Sequence, residues 1–337
     1  MELERRSIRI GLIAIAFAVI FRLICTDAFA PVIRWLKQEE VASFLIYLET
    51  GRVVRSSTVS DLLPSQDTSA ATVPPVIPSE YLSFSEEDAQ LIDISNQNDY
   101  TVDVPALLQT PLTWDLTQDG PAVLILHTHA TESYTPTDAE PYQESSSYRT
   151  LDEQHNMIRI GQQLAQVLQS SGIGVIHDTT FHDHPSYNDS YANARNSIET
   201  YLAQYPSIRM VLDIHRDAAD LSSPVQLKTS ATVAGQSCAQ LMMVVGTNAG
   251  GLNHPHWQEN MALAVKLHAH LEKLYPGLCR PISFRSQRFN QDLSTGAMLI
   301  EVGAAGDTLE EALLAARVLG ESLVALAHGT ATSDSTS

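Results

Sequence analysis

Two imidazoles and a carboxylate stand close together at His127, His129 and Glu132. They follow the apolar run Val123 to Leu126, which reads as a buried strand, so this cluster falls where a strand gives way to a loop. Side chains two positions apart on an extended chain point the same way, and His127 and His129 have that spacing. Glu132 is near enough to fold back toward the same point. Histidine and carboxylate ligands with one open position are what a catalytic zinc takes. The competing reading is a histidine pair that caps a strand at the surface.

A second apolar run, Ile208 to Ile214, ends in His215-Arg216-Asp217. A third, Ala297 to Ile300, ends in Glu301-Val302-Gly303. If these strands are neighbours in a mostly parallel sheet, their C-terminal ends share one rim, where active sites of open α/β sheets form. That rim then holds the components of metal-assisted hydrolysis: about three protein ligands and a general base. His129, Glu132 and His215 are the preferred ligands. His127 is either a further ligand or a hydrogen-bond donor that orients one. Glu301 is the candidate base, and the apolar run before it predicts burial and a raised pKa; the alternative is an ion pair with Arg216 or Arg288. Arg216 is a candidate for steadying an oxyanion, against a simple pairing with Asp217. His182-Asp183-His184 has a metal-like composition but sits in a long loop, and a substrate-loop or structural role is expected. The glycine-rich stretch Gly246 to Gly251 lacks the lysine and spacing of a phosphate-binding loop.

The elements that must position these residues alternate in type. Met157, Ile160, Leu164, Val167 and Leu168 recur at helical spacing before Gly172. Helices are also predicted over Tyr191 to Leu202 and Trp257 to Leu274, and from an N-cap at Asp307 to about His328. Short strands are predicted at 174–177 and Leu241 to Val245. This pattern predicts an α/β domain over 116–328, a mostly parallel sheet flanked by helices.

Ahead of it, Arg5, Arg6 and Arg9 precede a hydrophobic segment that runs past Arg22 to Cys25. Residues 1–30 read as a cytoplasmic tip and a transmembrane signal anchor, in preference to a cleaved signal peptide ending near Ala30. The remainder is then outside the cytoplasm. Residues 31–115 read as a juxtamembrane helix and a Ser/Thr/Pro-rich linker, and 329–337 as a disordered tail. The chain has 337 residues, with 39 acidic against 20 basic side chains and a net charge of −19. That balance argues against nucleic acid as a partner, since binding it needs a basic footprint. Three cysteines, Cys25, Cys238 and Cys279, make no disulfide framework; only the last two share the main domain.

In order along residues 121–328, the segments His127-Thr128-His129-Ala130-Thr131-Glu132-Ser133-Tyr134, His177-Asp178 with His182 to Tyr187, and Asp213 to Ala218 form one set of blocks. Val245-Gly246-Thr247-Asn248, Asn290 to Ser294 and Leu299 to Gly303 complete it. Together they resemble the stage II sporulation protein P family of endospore-forming bacteria. The resemblance implies a membrane-anchored, Zn2+-dependent peptidoglycan hydrolase with an N-acetylmuramoyl-L-alanine amidase-like fold. It also implies endopeptidase cleavage of cross-links, a place in engulfment between the membranes of the sporulating cell, and stage II sporulation proteins D and M as partners. Related amidases take their carboxylate ligand from near the start of the next helix, which keeps Glu153, beside Asp152 and His155, open as an alternative to Glu132. The rival functions are a metal-dependent phosphoesterase or deacetylase, and a wall-binding module without catalysis.

Overall fold

Strands and helices alternate along the chain, as apolar strand runs separated by helical stripes require. A computed structural model of the protein describes residues 82–112, 115–218, 221, 223 and 225–333. The expected anchor, the juxtamembrane helix and the tip of the tail lie outside the described residues. Among the described residues no helix is long and apolar enough to cross a membrane.

In chain order the strands are β1 (Ile94–Asn96), β2 (Val123–Leu126), β3 (Val175–His177), β4 (Met210–Asp217), β5 (Ser230–Val233), β6 (Gln236–Ala239), β7 (Leu241–Val245), β8 (Ile282–Phe284) and β9 (Gly296–Ala304). The helices are α1 (Val104–Gln109), α2 (Met157–Ser170), α3 (Ser190–Gln204), α4 (Trp257–Leu274) and α5 (Leu309–Ser333). Seven strands form one sheet in the order β1-β8-β7-β9-β4-β2-β3. Every pairing in it is parallel except β7 with β9. The expected mostly parallel sheet is therefore two parallel groups joined back to back. The C-terminal ends of β2, β4 and β9 share one rim. Those of β7 and β8 face the other, which takes the Gly246–Gly251 loop away from the histidines.

The two sheet faces differ in depth. Val123, Ile125, Leu212, Ile214 and Ile300 join the large core, which also takes in buried residues of α2, α4 and α5. The alternate residues Leu124, Leu126, Val211 and Ala297 join a smaller second cluster with Ile208 and with Ala194 and Ile198 of α3. Residues on this thinner side that lie past the apolar cluster, toward the rim, are free to be polar.

Three boundaries differ from the sequence reading. Residues 82–112, read as linker, are packed on the domain: β1 extends the sheet by pairing with β8, and Leu108 of α1 is buried. The linker reading fails there because apolar residues spaced among Ser, Asn and Asp give no clear period, yet α1 has its own side-chain N-cap, Asp103. The N-terminus of α5 is capped one residue later than expected. Thr308 and Glu311 form a reciprocal capping box, while Asp307 accepts from Ala304 N and Thr229 N. The helix also continues through the expected start of the tail to Ser333. The β5–β6 hairpin gives no periodic signal in the sequence; its turn is made by Ala234 and Gly235, both at positive φ. Cys238 and Cys279 are both free thiols.

Candidate active site

The β4–β9 register sets His215 directly opposite Glu301. Cross-strand partners point to the same face, here the thin α3 side. Asp213, two residues before His215, shares that face. Its carboxylate lies 2.8 Å from His215 Nε2, though not in line for a hydrogen bond. Asp213 is held by Thr128, which donates from its backbone N–H at 2.8 Å and from its hydroxyl at 2.6 Å. Thr128 thus ties the end of β2 to β4. Just past His215 the register slips, and β9 carries an extra residue before Ala304. Gly303 supplies it at a φ of 69°, a conformation that a side chain would strain. Such bulges commonly re-aim side chains beside functional sites.

His129 reaches the same place from the loop after β2. Its ring lies 5.2 Å from that of His215, edge to face, and stacks on Tyr187 at 4.6 Å. Tyr191 of α3 closes a second side. Glu132 Oε2 is 3.7 Å from His215 Nδ1. His129, Glu132, His215 and Glu301 are therefore brought together at the rim. Three of their polar atoms are out of solvent and have no hydrogen-bond partner: His129 Nδ1, His215 Nε2 and Glu301 Oε2.

The electrostatics follow from burial. It disfavours the charged form of His129, whose pKa falls to about 4 despite Glu132 nearby. Burial also opposes charge on His215, but Asp213, Glu132 and Glu301 outweigh it and raise the value to about 9. Glu301 is pushed up to about 8, chiefly by burial and then by Glu132, against the pull of His215. Glu132 goes the other way. Desolvation resists its ionisation, yet Arg216, His215 and His129 hold its carboxyl below the ordinary range.

His127 is not brought to this cluster. It continues the alternation of β2 onto the opposite face. There its Nδ1 lies 2.9 Å from the Ile214 carbonyl and its Nε2 2.9 Å from His177 Nε2. Gly161 of α2 leaves room for that pair, since a Cβ there would sit 2.4 Å from His177 Nε2. The i, i+2 argument fails because β2 ends at Leu126 and the chain turns before His129. Arg216 is buried, and its guanidinium donates to the Ser133 carbonyl at 2.8 Å and the Tyr148 carbonyl at 2.7 Å. It lies 3.5 Å from Glu132. Asp217 pairs instead with Arg280 at 2.7 Å, and Arg288 with Asp292 at 3.2 Å; among the described residues no ion pair joins Glu301 to Arg216 or Arg288, or Arg216 to Asp217. His155 sits between Asp152 and Glu140 on a surface turn.

Sequence reasoning missed Arg149, and it gave Asp183 only a substrate-loop or structural role and Tyr187 only a place in the same block. Arg149 bridges Glu132 at 3.2 Å and Asp183 at 2.8 Å, and lies over the Tyr187 ring. Asp183 accepts from the Thr131 hydroxyl at 2.5 Å, so the His182–His184 segment braces the Glu132 loop. His182 itself pairs with Asp178 at 3.2 Å. These contacts join distant stretches, and no local spacing announces them. Asp213 was within reach of the alternation rule. Asp292 grips Arg195 of α3 through two 3.0 Å contacts, and Asn290 donates to the Tyr191 carbonyl. The loop before β9 thereby fixes the helix that lines the site.

The model of the stage II sporulation protein P family matches residues 66–324. The stage II sporulation protein P of Bacillus subtilis (strain 168) is 31% identical over 277 residues, which is 77% of this chain and 64% of that protein's length. Among solved structures, the chain is similar to the CwlD amidase of Clostridioides difficile, solved in complex with the GerS lipoprotein (TM-score 0.36, 14% identity, 64% of this chain and 100% of that one). It is similar to the N-acetylmuramoyl-L-alanine amidase AmiC2 of Nostoc punctiforme at the same TM-score and identity, over 65% of this chain and 99% of that one. These structural overlaps are partial, and the assignment rests on the two sequence matches. By those matches, the chain belongs to the stage II sporulation protein P family.

Proposed function

We propose that the protein is a peptidoglycan hydrolase of sporulation, a zinc-dependent N-acetylmuramoyl-L-alanine amidase that cuts between the lactyl group of N-acetylmuramic acid and L-alanine. Family membership supports the substrate class. The observation that carries the chemistry is the His215–Glu301 pair facing His129, with a bare ring nitrogen and a bare carboxyl oxygen in one buried place. The donor types suit zinc, two imidazoles and a carboxylate, although their ligand atoms do not form a group within 4.8 Å of one another as they stand; the Asp213 carboxylate beside His215 Nε2 leaves Nδ1 toward Glu132. Bound there, zinc would supply a Lewis acid for the scissile carbonyl and for the attacking water.

The chain's own residues divide the remaining work. His129 offers Nδ1, and Glu132 a carboxylate oxygen that must be shared with Arg149 and Arg216. Glu301 takes a proton from the attacking water and returns it to the leaving amine. Its raised pKa suits the donor half of that cycle. Arg216 acts as a positioning residue: it holds Glu132 and the 133–148 loop rather than presenting free N–H groups. Cleavage of cross-links, an N-terminal membrane anchor, action during engulfment and work with stage II sporulation proteins D and M belong to the same proposal.

His215→Ala tests it at its centre. The variant is expected to lose both bound zinc and release of stem peptides from purified peptidoglycan. Full zinc content in His215→Ala would remove this residue from the site.

A further inference from the structure

A second group of ligand-type side chains lies on the other helix layer. Among the described residues, His268, Glu272 and Cys279 each bring one ligand atom within 4.8 Å of the others. His268 and Glu272 are one turn apart on α4 and share a face. Cys279 follows the turn that ends the helix. Glu272 holds that turn itself, accepting from Gly277 N at 2.8 Å and Cys279 N at 2.6 Å. Burial and the neighbouring Glu272 carboxylate push the Cys279 thiol up. On its other side Cys279 makes a parallel bridge with Leu241, at the start of β7.

A capped turn accounts for Glu272 but not for His268. That ring is buried, and one of its N–H groups donates to the Leu91 carbonyl. Its Nδ1 is out of solvent with no hydrogen-bond partner. A ring anchored through one nitrogen to a carbonyl, with the other nitrogen bare, is the arrangement of a metal-ligating histidine.

We propose that His268 Nδ1, a Glu272 carboxylate oxygen and the Cys279 thiolate form a three-residue site for a borderline-soft divalent metal such as Zn2+, clipping the end of α4 to the sheet. One nitrogen, one sulfur and one oxygen suit zinc and exclude magnesium or calcium as the preferred ion. On binding, the thiol releases its proton to solvent and water completes the four ligands. The site also has a place in the fold. Cys279 pairs with Leu241 and Leu241 with Val302, so the clip lies two strand positions from the residue after Glu301. The next residue, Arg280, reaches Asp217, just beyond His215 and Arg216. None of this depends on the proposed amidase activity.

The test uses the full chain in detergent, stripped of metal and titrated with Co2+. A thiolate ligand gives a sulfur-to-cobalt charge-transfer band, and the His129, Glu132 and His215 group contains no sulfur. The band is expected in the wild type, in Cys25→Ser and in Cys238→Ser. It should be absent from Cys279→Ser, and His268→Ala and Glu272→Gln should weaken the Co2+ affinity read from it at least tenfold. No band in the wild type, or a band that persists in Cys279→Ser, would overturn the site. So would a band lost in Cys279→Ser but unchanged in affinity in both His268→Ala and Glu272→Gln, because that describes a lone thiol. His268→Ala keeps every cysteine, so it decides the matter even if Cys279→Ser does not fold.

Discussion

Glu301 carries the clearest pH signature in the molecule. Its folded-state pKa, about 8, stands above the ordinary 4.5 because burial disfavours the carboxylate. The folded state therefore holds this proton more tightly than the unfolded chain. The resulting stability is fully present below about pH 4.5 and is lost as pH rises through about 8. Glu301→Gln cannot titrate. In metal-stripped protein, the melting temperature of the variant relative to wild type should climb across that window; a constant difference would mean that Glu301 is not held protonated. With zinc restored, the same variant should keep its metal and fold but lose about 10²–10⁴-fold in turnover, the range for removing a general acid–base. Loss of zinc from Glu301→Gln would show it to be a ligand. His215 and Glu301 were legible in the sequence because each ends an apolar strand, and register then set them opposite one another. His127 misled because its strand ends one residue before it, and alternation carries it to the far face.

Among the elements, the loop from Thr128 to Arg149 depends most on a single side chain. Arg216 ties it down at Ser133, Tyr148 and Glu132, from a buried position beside the β9 bulge. Removing one member of a buried charge pair typically costs about 3–5 kcal/mol, because the other charge is left without compensation. Arg216→Ala should therefore destabilise the protein by about that amount in urea unfolding. An unchanged midpoint, with activity alone lost, would return Arg216 to a direct catalytic role. The helices over Met157–Ser170 and Trp257–Leu274 were legible because their apolar stripes are long and their ends are marked. The contacts of Arg149, Asp183 and Tyr187 were not, since they join segments separated by tens of residues. Tyr187 is 53% exposed, so hydrophobicity gave no hint that it covers His129.

For the whole molecule, the sequence misjudged where the domain begins. Residues 82–112 lie on α4: Lys273 pairs with Asp88 at 2.7 Å, and Lys266 donates to the Leu108 carbonyl. A chain starting at residue 116 would strip these partners and uncover the apolar surface beneath α1. It should melt lower and aggregate more readily than one starting at residue 82; equal melting temperatures would mark this stretch as dispensable. Whole-chain charge, −19, predicts no long-range electrostatic attraction to an anionic polymer. The central claim is a zinc amidase built on His129, Glu132, His215 and Glu301. The most direct measurement determines zinc per chain in the full-length protein, then identifies by mass the products released from purified peptidoglycan with and without chelator. The account predicts bound zinc and free stem peptides with L-alanine at their amino termini, both lost with chelator. Release of those peptides at full rate from metal-free protein, or none from protein shown to hold zinc at His215, would contradict it.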